Sequence, residues 1–282
     1  MQLYVEGVAL LGPGLNGWEA SRPVLAGELS YRAAALELPS IALLPPNERR
    51  RTVKTVKLAL ALGAEAFAAA DRHPAETPTV FTSSGGDGDT IHEILDALAS
   101  DKPALSPTRF HNSVHNAPSG YWGIATRSHA ASTSLCCHDA SFAAGLLEAS
   151  VQATVDRSPV ALIAYDLCYP EPLHSVRPIG ATFGAALILA PQPNPAAFAR
   201  LELELRPSSG PTRDLLPPAL EALRCTTPAA RSLPLLCALA GHDQKSVAID
   251  YLSGLELALA IHPLRSGRSA ESDQAHPPGV VV

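Results

Sequence analysis

The sequence predicts an α/β fold, on three observations. At "TPTVFTSSGGDGDTIHEILDALAS" a short apolar strand enters a glycine-rich turn and then an amphipathic helix, the strand–turn–helix unit of a layered domain. "VALIAYD", from Val160 to Asp166, is an unbroken apolar run, as a strand covered on both faces requires. "LELEL", from Leu201 to Leu205, alternates apolar and acidic residues, so one face of that strand meets water.

Along the chain, "LYVEGVALLGPG" reads as a strand closed by a Gly/Pro turn. "LPPNERRRTVKTVKLALALGAEAFAAA" reads as one helix. Pro45 and Pro46 stand just before it, Asn47 is a possible cap, and Val53, Val56, Leu60 and Ala64 follow helical spacing. "KPALSPTRFHNSVHNAPSGYWGIAT" reads as loop, because Pro107 and Pro118 bracket it. A helix is expected from about Ala140 to Val155, followed by the strand "VALIAYD". "ATFGAALILAP" and "ARLELELRP" are two further strands, and "TPAARSLPLLCALAG" is a short helix. "SVAIDYL" with "GLELALAIHP" forms a closing hairpin. The expected domain is 1–263. From Leu264 on, residues 264–282 lack periodicity and are expected to form a disordered tail.

Length and composition narrow the function classes. The 282 residues can bury a substantial core, and 46% hydrophobic with 17% charged residues is ordinary for a folded protein. The net charge is −6 and the longest basic run is "RRR" at Arg49 to Arg51, so a nucleic-acid footprint is not expected. Five cysteines without zinc-ligand spacing, and a start lacking a basic n-region, predict neither a disulfide framework nor a signal peptide. No apolar run is long enough for a membrane span. A soluble, cytoplasmic protein is expected.

Three segments carry candidate chemistry. "SSGGDGD", Ser83 to Asp89, lacks the lysine and Ser/Thr of a phosphate loop, and its aspartates would repel phosphate; a tight crossover is the better reading. "FHNSVHNAPSGYW" has histidines at i and i+4, His111 and His115, but no evident third metal ligand, so no metal is expected. In "STSLCCHDASFAAGLLEA", Cys136 and Cys137 precede His138, Asp139 and a helix. A thiol there is either activated by the helix terminus and an imidazole, or is a small side chain in a crowded turn. Spacing alone leaves both readings open.

Together these residues resemble the β-ketoacyl synthases of the thiolase-like superfamily over about Leu3 to Pro263. They are most similar to the shortened synthase-like proteins of aryl polyene and xanthomonadin-type pigment pathways. In condensing enzymes the nucleophile elbow reads alanine, cysteine, alanine, serine, glycine, then a helix carrying "EA". "ASFAAGLLEA", Ala140 to Ala149, matches the part after that cysteine without a gap. The register puts Asp139 at the nucleophile position, with the Cys pair two and three residues too early. "SSGGDGD", "SPTRFHNSVHNAPSG", "VALIAYD" and "IGATFGAALILAP" with "RLELEL" follow in the family's order.

The resemblance implies a thiolase-like layered fold, mainly the N-terminal half of a condensing enzyme with a truncated C-terminal part. The family's two catalytic histidines lie in its C-terminal half. After Gly184 this chain has only His242 and His262, in contexts that do not match. No catalytic residue is therefore assigned, and the expected role is that of a noncatalytic, chain-length-factor-type subunit of a full-length β-ketoacyl synthase, as a heterodimer. Gly85, Gly86, Asp87, Thr90, Phe110, His111, Val114, His115 and Asn116 would border the interface and acyl tunnel. The resemblance implies no cofactor, since phosphopantetheine would arrive on an acyl carrier protein and bind mainly to the synthase. Two alternatives stand beside this: an active acyltransferase using Cys137 with His138 or His115 as base, and a standalone acyl-chain binding module.

Overall fold

The first strand, β1 (Gln2–Gly12), changes faces partway along. Leu3 and Val5 point into one core, and so do Val8 and Leu10, while Ala9 and Leu11 join the other. Strict alternation would put odd and even positions on opposite faces throughout. The pairing register shifts between Val5 and Gly7, and that bulge turns Val8 and Leu10 back to the face of Leu3 and Val5. Glu6, at the bulge, has a fully buried side chain, answered by a two-pronged ion pair from Arg72, whose Nη2 lies 2.8 Å from Oε1.

The computed structural model describes residues 1–40, 42–208, 210 and 216–264. After β1 come β2 (Leu15–Asn16), α1 (Trp18–Leu25), α2 (Pro46–Arg49), α3 (Lys54–Ala70) and β3 (Thr79–Thr82). Then follow α4 (Gly88–Ala99), α5 (Pro107–Asn112), α6 (Ala117–Thr126), β4 (Ser132–Leu135), α7 (Ser141–Asp156) and β5 (Val160–Asp166). The last part holds α8 (Leu173–Val176), β6 (Phe183–Ala190), β7 (Ala199–Pro207), α9 (Pro218–Thr226), α10 (Leu233–Ala240), β8 (Lys245–Asp250) and β9 (Leu255–Pro263).

All strands join one mixed sheet in the order β4-β3-β5-β6-β1-β7-β9-β8, with β2 paired to β1. β3 runs parallel to β4 and β5, and the other pairings are antiparallel. α3 and α6 cover one face; α1, α7, α9 and α10 cover the other. β5 and β6 are buried along their whole length, as strands with helices on both sides must be. Close approach explains two glycines. A Cβ on Gly63 of α3 would stand 2.6 Å from the Trp122 ring, and one on Gly145 of α7 would stand 2.7 Å from Thr82 Cγ2.

Three expectations need correction. The helix from Leu44 to Ala70 is two helices, because the chain extends at Val53 and the Arg51 carbonyl accepts a hydrogen bond from Asn112 Nδ2 at 2.8 Å. Asn47 does not cap it; its Oδ1 accepts from the Arg50 side chain. The stretch read as loop around Phe110 forms α5 and α6, with Pro107 and Pro118 in their first turns. A first-turn proline loses no helical hydrogen bond, so these prolines start helices rather than exclude them. The predicted tail lies outside the described residues except for Leu264, whose N–H donates to the Phe198 carbonyl at 2.8 Å.

Candidate functional site

The segment between β4 and α7 forms a tight elbow. Cys137, His138, Asp139 and Ala140 make a single 3-10 turn, and His138 takes the left-handed backbone conformation at φ 52°. That conformation is costly for a residue with a side chain, so the neighbourhood must hold it in place. Ser141, the first residue of α7, does so: its hydroxyl accepts from Cys137 N at 2.9 Å and donates to the His138 carbonyl at 2.7 Å. Thr82 of β3 then donates to the Ser141 carbonyl at 2.7 Å.

Asp139 projects from this turn into an arginine clamp. Its Oδ1 lies 2.6 Å from Arg177 Nη2, its Oδ2 lies 3.2 Å from Arg231 Nη2, and His138 Nδ1 is 3.6 Å from Oδ1. Partial burial pushes its pKa up. The Arg177 hydrogen bond and the two guanidinium charges, with His138, outweigh that and hold the carboxyl below the usual carboxylate range. Arg177 follows α8 and Arg231 sits in the turn before α10; His174 of α8 lines the same cavity. His242 lines a separate cavity with Glu6 and Trp18, and His262 lies on β9 beside Glu202.

The thiols are not wired for attack. Cys136 Sγ donates to the Ser84 carbonyl at 3.2 Å, across the elbow. Among the described residues no hydrogen bond joins Cys137 Sγ to an imidazole. His138 faces Asp139, and His115 Nε2 lies 3.4 Å from the Ser83 carbonyl. Nor is any group of three or more His, Cys, Asp or Glu side chains among the described residues placed to hold a metal ion.

The glycine-rich turn before α4 is a packed crossover, as its sequence implies. Asp87 caps α4 by accepting from Thr90 N at 2.8 Å and also takes the Thr55 hydroxyl. Asp89 pairs with Lys54 at 2.9 Å. Tyr169 lies over the turn so closely that a Cβ on Gly85 would stand 2.0 Å from its hydroxyl. Beneath it Asp166, at the buried end of β5, accepts from Ser84 N at 2.8 Å and Ser84 Oγ at 2.6 Å. Burial pushes the Asp166 carboxyl up to about 6, against the pull of these hydrogen bonds.

The expected tunnel and interface residues divide into two groups. Asp87 and Thr90 face inward as helix cap and capped residue, and Gly85 lies under Tyr169. Gly86, Phe110, His111, Val114 and Asn116 lie exposed and His115 is half-buried; Phe110 is 63% exposed. They form the end of an apolar surface that the sequence did not reveal. α4 buries only Thr90, leaving Leu95 56% and Leu98 49% exposed beside Leu105 and Phe110. Arg109 joins α5 to α4 through Glu93 at 2.7 Å. β4 ends the sheet, and among the described residues β3 is the strand it pairs with. Arg177 and Arg231 were also missed, since they stand singly in the sequence, and Asp166 was read only as the polar end of the strand "VALIAYD".

The fold and elbow define a condensing-enzyme scaffold of the thiolase-like class. The model of the β-ketoacyl synthase N-terminal domain matches residues 26–244, and the chain belongs to that family. Solved structures agree on the fold. A ketosynthase in complex with its chain length factor from Xenorhabdus doucetiae superposes with a TM-score of 0.69 at 21% identity, over 92% of this chain and 99% of that one. The ishigamide ketosynthase/chain length factor gives 0.70 at 12% identity, over 94% and 100%. A type II polyketide synthase acyl-carrier protein in complex with its hexaketide-bound ketosynthase gives 0.71 at 12%, over 93% and 99%. No curated protein matches this sequence. No helix among the described residues is long and apolar enough to cross a membrane.

Proposed function

We propose that this chain is a noncatalytic subunit of the chain-length-factor type, which pairs with an active β-ketoacyl-acyl carrier protein synthase in polyene or fatty-acid-like synthesis in the cytoplasm. The observation that carries the reading is Asp139 held between Arg177 and Arg231, a residue that the sequence register would set at the family's nucleophile position. A carboxylate so engaged is a poor nucleophile, and an anhydride formed on it would hydrolyse. Neither of the histidines that follow Gly184, His242 and His262, lines the Asp139 cavity, whose lining imidazole is His174.

The surface supports the same reading. A stable interface buries about 800 Å² on each partner around an apolar centre. Among the described residues, α4 and α5 leave Leu95, Leu98 and Phe110 exposed, and no strand pairs the outer edge of β4. Phe110, His111, Val114 and His115 would pack there against the synthase and bound its acyl pocket. Two of the solved structures this chain resembles pair a ketosynthase with a chain length factor. The phosphopantetheine arm of a carrier protein would enter the synthase, and this chain would hold no cofactor of its own. Aryl polyenes are the product class the sequence resemblance favours.

Coexpression tests this. The synthase and carrier protein are expressed with and without this chain, and product lengths are compared. The expected result is a defined chain length only when this chain is present, retained by a folded Asp139→Ala variant. Condensation by this chain alone, or identical products without it, would overturn the reading.

A further inference from the structure

The clamp around Asp139 lies in the wall of a cavity to which the subunit reading assigns no ligand. The cavity holds about 320 Å³ and is lined by Asp139, His174, Arg177, Thr227 and Arg231, among others. Two short segments build it. The Gly180 N–H donates to the Thr226 carbonyl at 2.9 Å, and the Ala181 N–H donates to Thr227 Oγ1 at 3.1 Å. Gly180 permits the crossing, since a Cβ there would stand 2.3 Å from Thr226 Oγ1.

Its donors outnumber its acceptors. Each guanidinium carries five N–H groups, yet Arg177 and Arg231 each reach Asp139 through Nη2 alone. Among the described residues, no other side-chain acceptor is bonded to either guanidinium. Thr227 is buried at 1% exposure, and its hydroxyl accepts from Ala181 while finding no acceptor of its own. Two guanidiniums against one carboxylate leave a positive charge uncompensated, with the His174 imidazole also in the wall. Arginine forks match the geometry of carboxylate and phosphate oxygens.

We propose that this cavity is an oxyanion site, in which Arg177, Arg231 and the Thr227 hydroxyl receive a phosphate or carboxylate group of a small ligand. Asp139 is then an internal competitor that holds the two guanidiniums in place when the ligand is absent. The site needs no synthase, so it stands or falls apart from the subunit reading.

The test is calorimetric titration of the purified full-length chain with inorganic phosphate and, separately, with malonate, at ionic strength fixed with chloride. Saturable binding of one or both is expected, and their ranking separates a phosphate source from a carboxylate one. Arg177→Met and Arg231→Met should weaken it about tenfold or more, as loss of a charge-assisted hydrogen bond implies. Asp139→Asn should tighten it, which a purely structural clamp would not do. If either methionine variant fails to fold, Arg231→Lys serves instead and should bind more weakly than the parent. Absence of saturable binding, equal binding by the arginine variants, or equal or weaker binding by Asp139→Asn would overturn the proposal.

Discussion

Asp166 Oδ2 accepts the backbone N–H of Ala229 at 2.7 Å while its Oδ1 holds Ser84. One buried carboxylate thus joins the glycine-rich turn to the segment that carries Arg231. In Asp166→Asn an NH2 replaces one oxygen and faces a donor, at a cost of about 1–3 kcal/mol. Urea unfolding at pH 7 checks this.

The same residue predicts a pH slope. Its carboxyl sits at about 6 in the folded chain, against about 3.9 when unfolded. Between those values the folded state binds more protons, so stability falls as pH rises from about 4 to 6, by roughly 3 kcal/mol. The contribution is fully present below the unfolded value. Asp166→Asn should lack the slope, and the difference between parent and variant unfolding curves across that range measures it.

Asp139 titrates in the opposite sense. Its carboxyl is depressed, so its contribution is present above the ordinary carboxylate range and is lost as pH falls through the depressed value. Its side chain is 39% exposed, and water limits that contribution to about 1 kcal/mol or less. Asp139→Cys places a thiol at the elbow, but neither His242 nor His262 lines that cavity to serve it. The variant should show no condensation with acyl and malonyl carrier-protein substrates.

Replacing surface apolar residues separates association from folding. Phe110→Asp and Leu98→Asp change side chains that are 63% and 49% exposed, so the thermal midpoint should move little. Copurification with the synthase should drop sharply, because a charge would enter the apolar centre of the contact. Pull-down against the parent chain reads the effect.

Gly145→Ala sets two effects against each other. Alanine favours the helix by about 1 kcal/mol, but its methyl would meet Thr82 Cγ2 at 2.7 Å and Leu162 Cδ1 at 2.8 Å. Overpacking costs about 1–3 kcal/mol, and a net loss is expected. Thr82→Ser removes Cγ2 and keeps the hydroxyl that binds Ser141, so the double variant should recover part of the loss in thermal unfolding.

Periodicity made the buried elements legible: β5 and β6 are continuous apolar runs, and α3 and α7 carry apolar residues at helical spacing. What escaped was local in a different way. The prolines at 107 and 118 break or begin a helix according to position, and composition does not say which. β4 is four mostly polar residues, too short for alternation to stand out. The helix after the elbow was legible from Ala140 on, but the clamp on Asp139 was not. Arg177 lies 38 residues beyond Asp139, and only the fold brings them together.

Among the described residues, no strand pairs with the outer edge of Ser132–Leu135, which leaves a row of backbone donors and acceptors on that side. Any other extended polypeptide can dock on such a row, including a misfolded copy of the same chain. Chains made in excess of whatever caps that border should therefore precipitate, and gene dosage would govern how much usable protein accumulates.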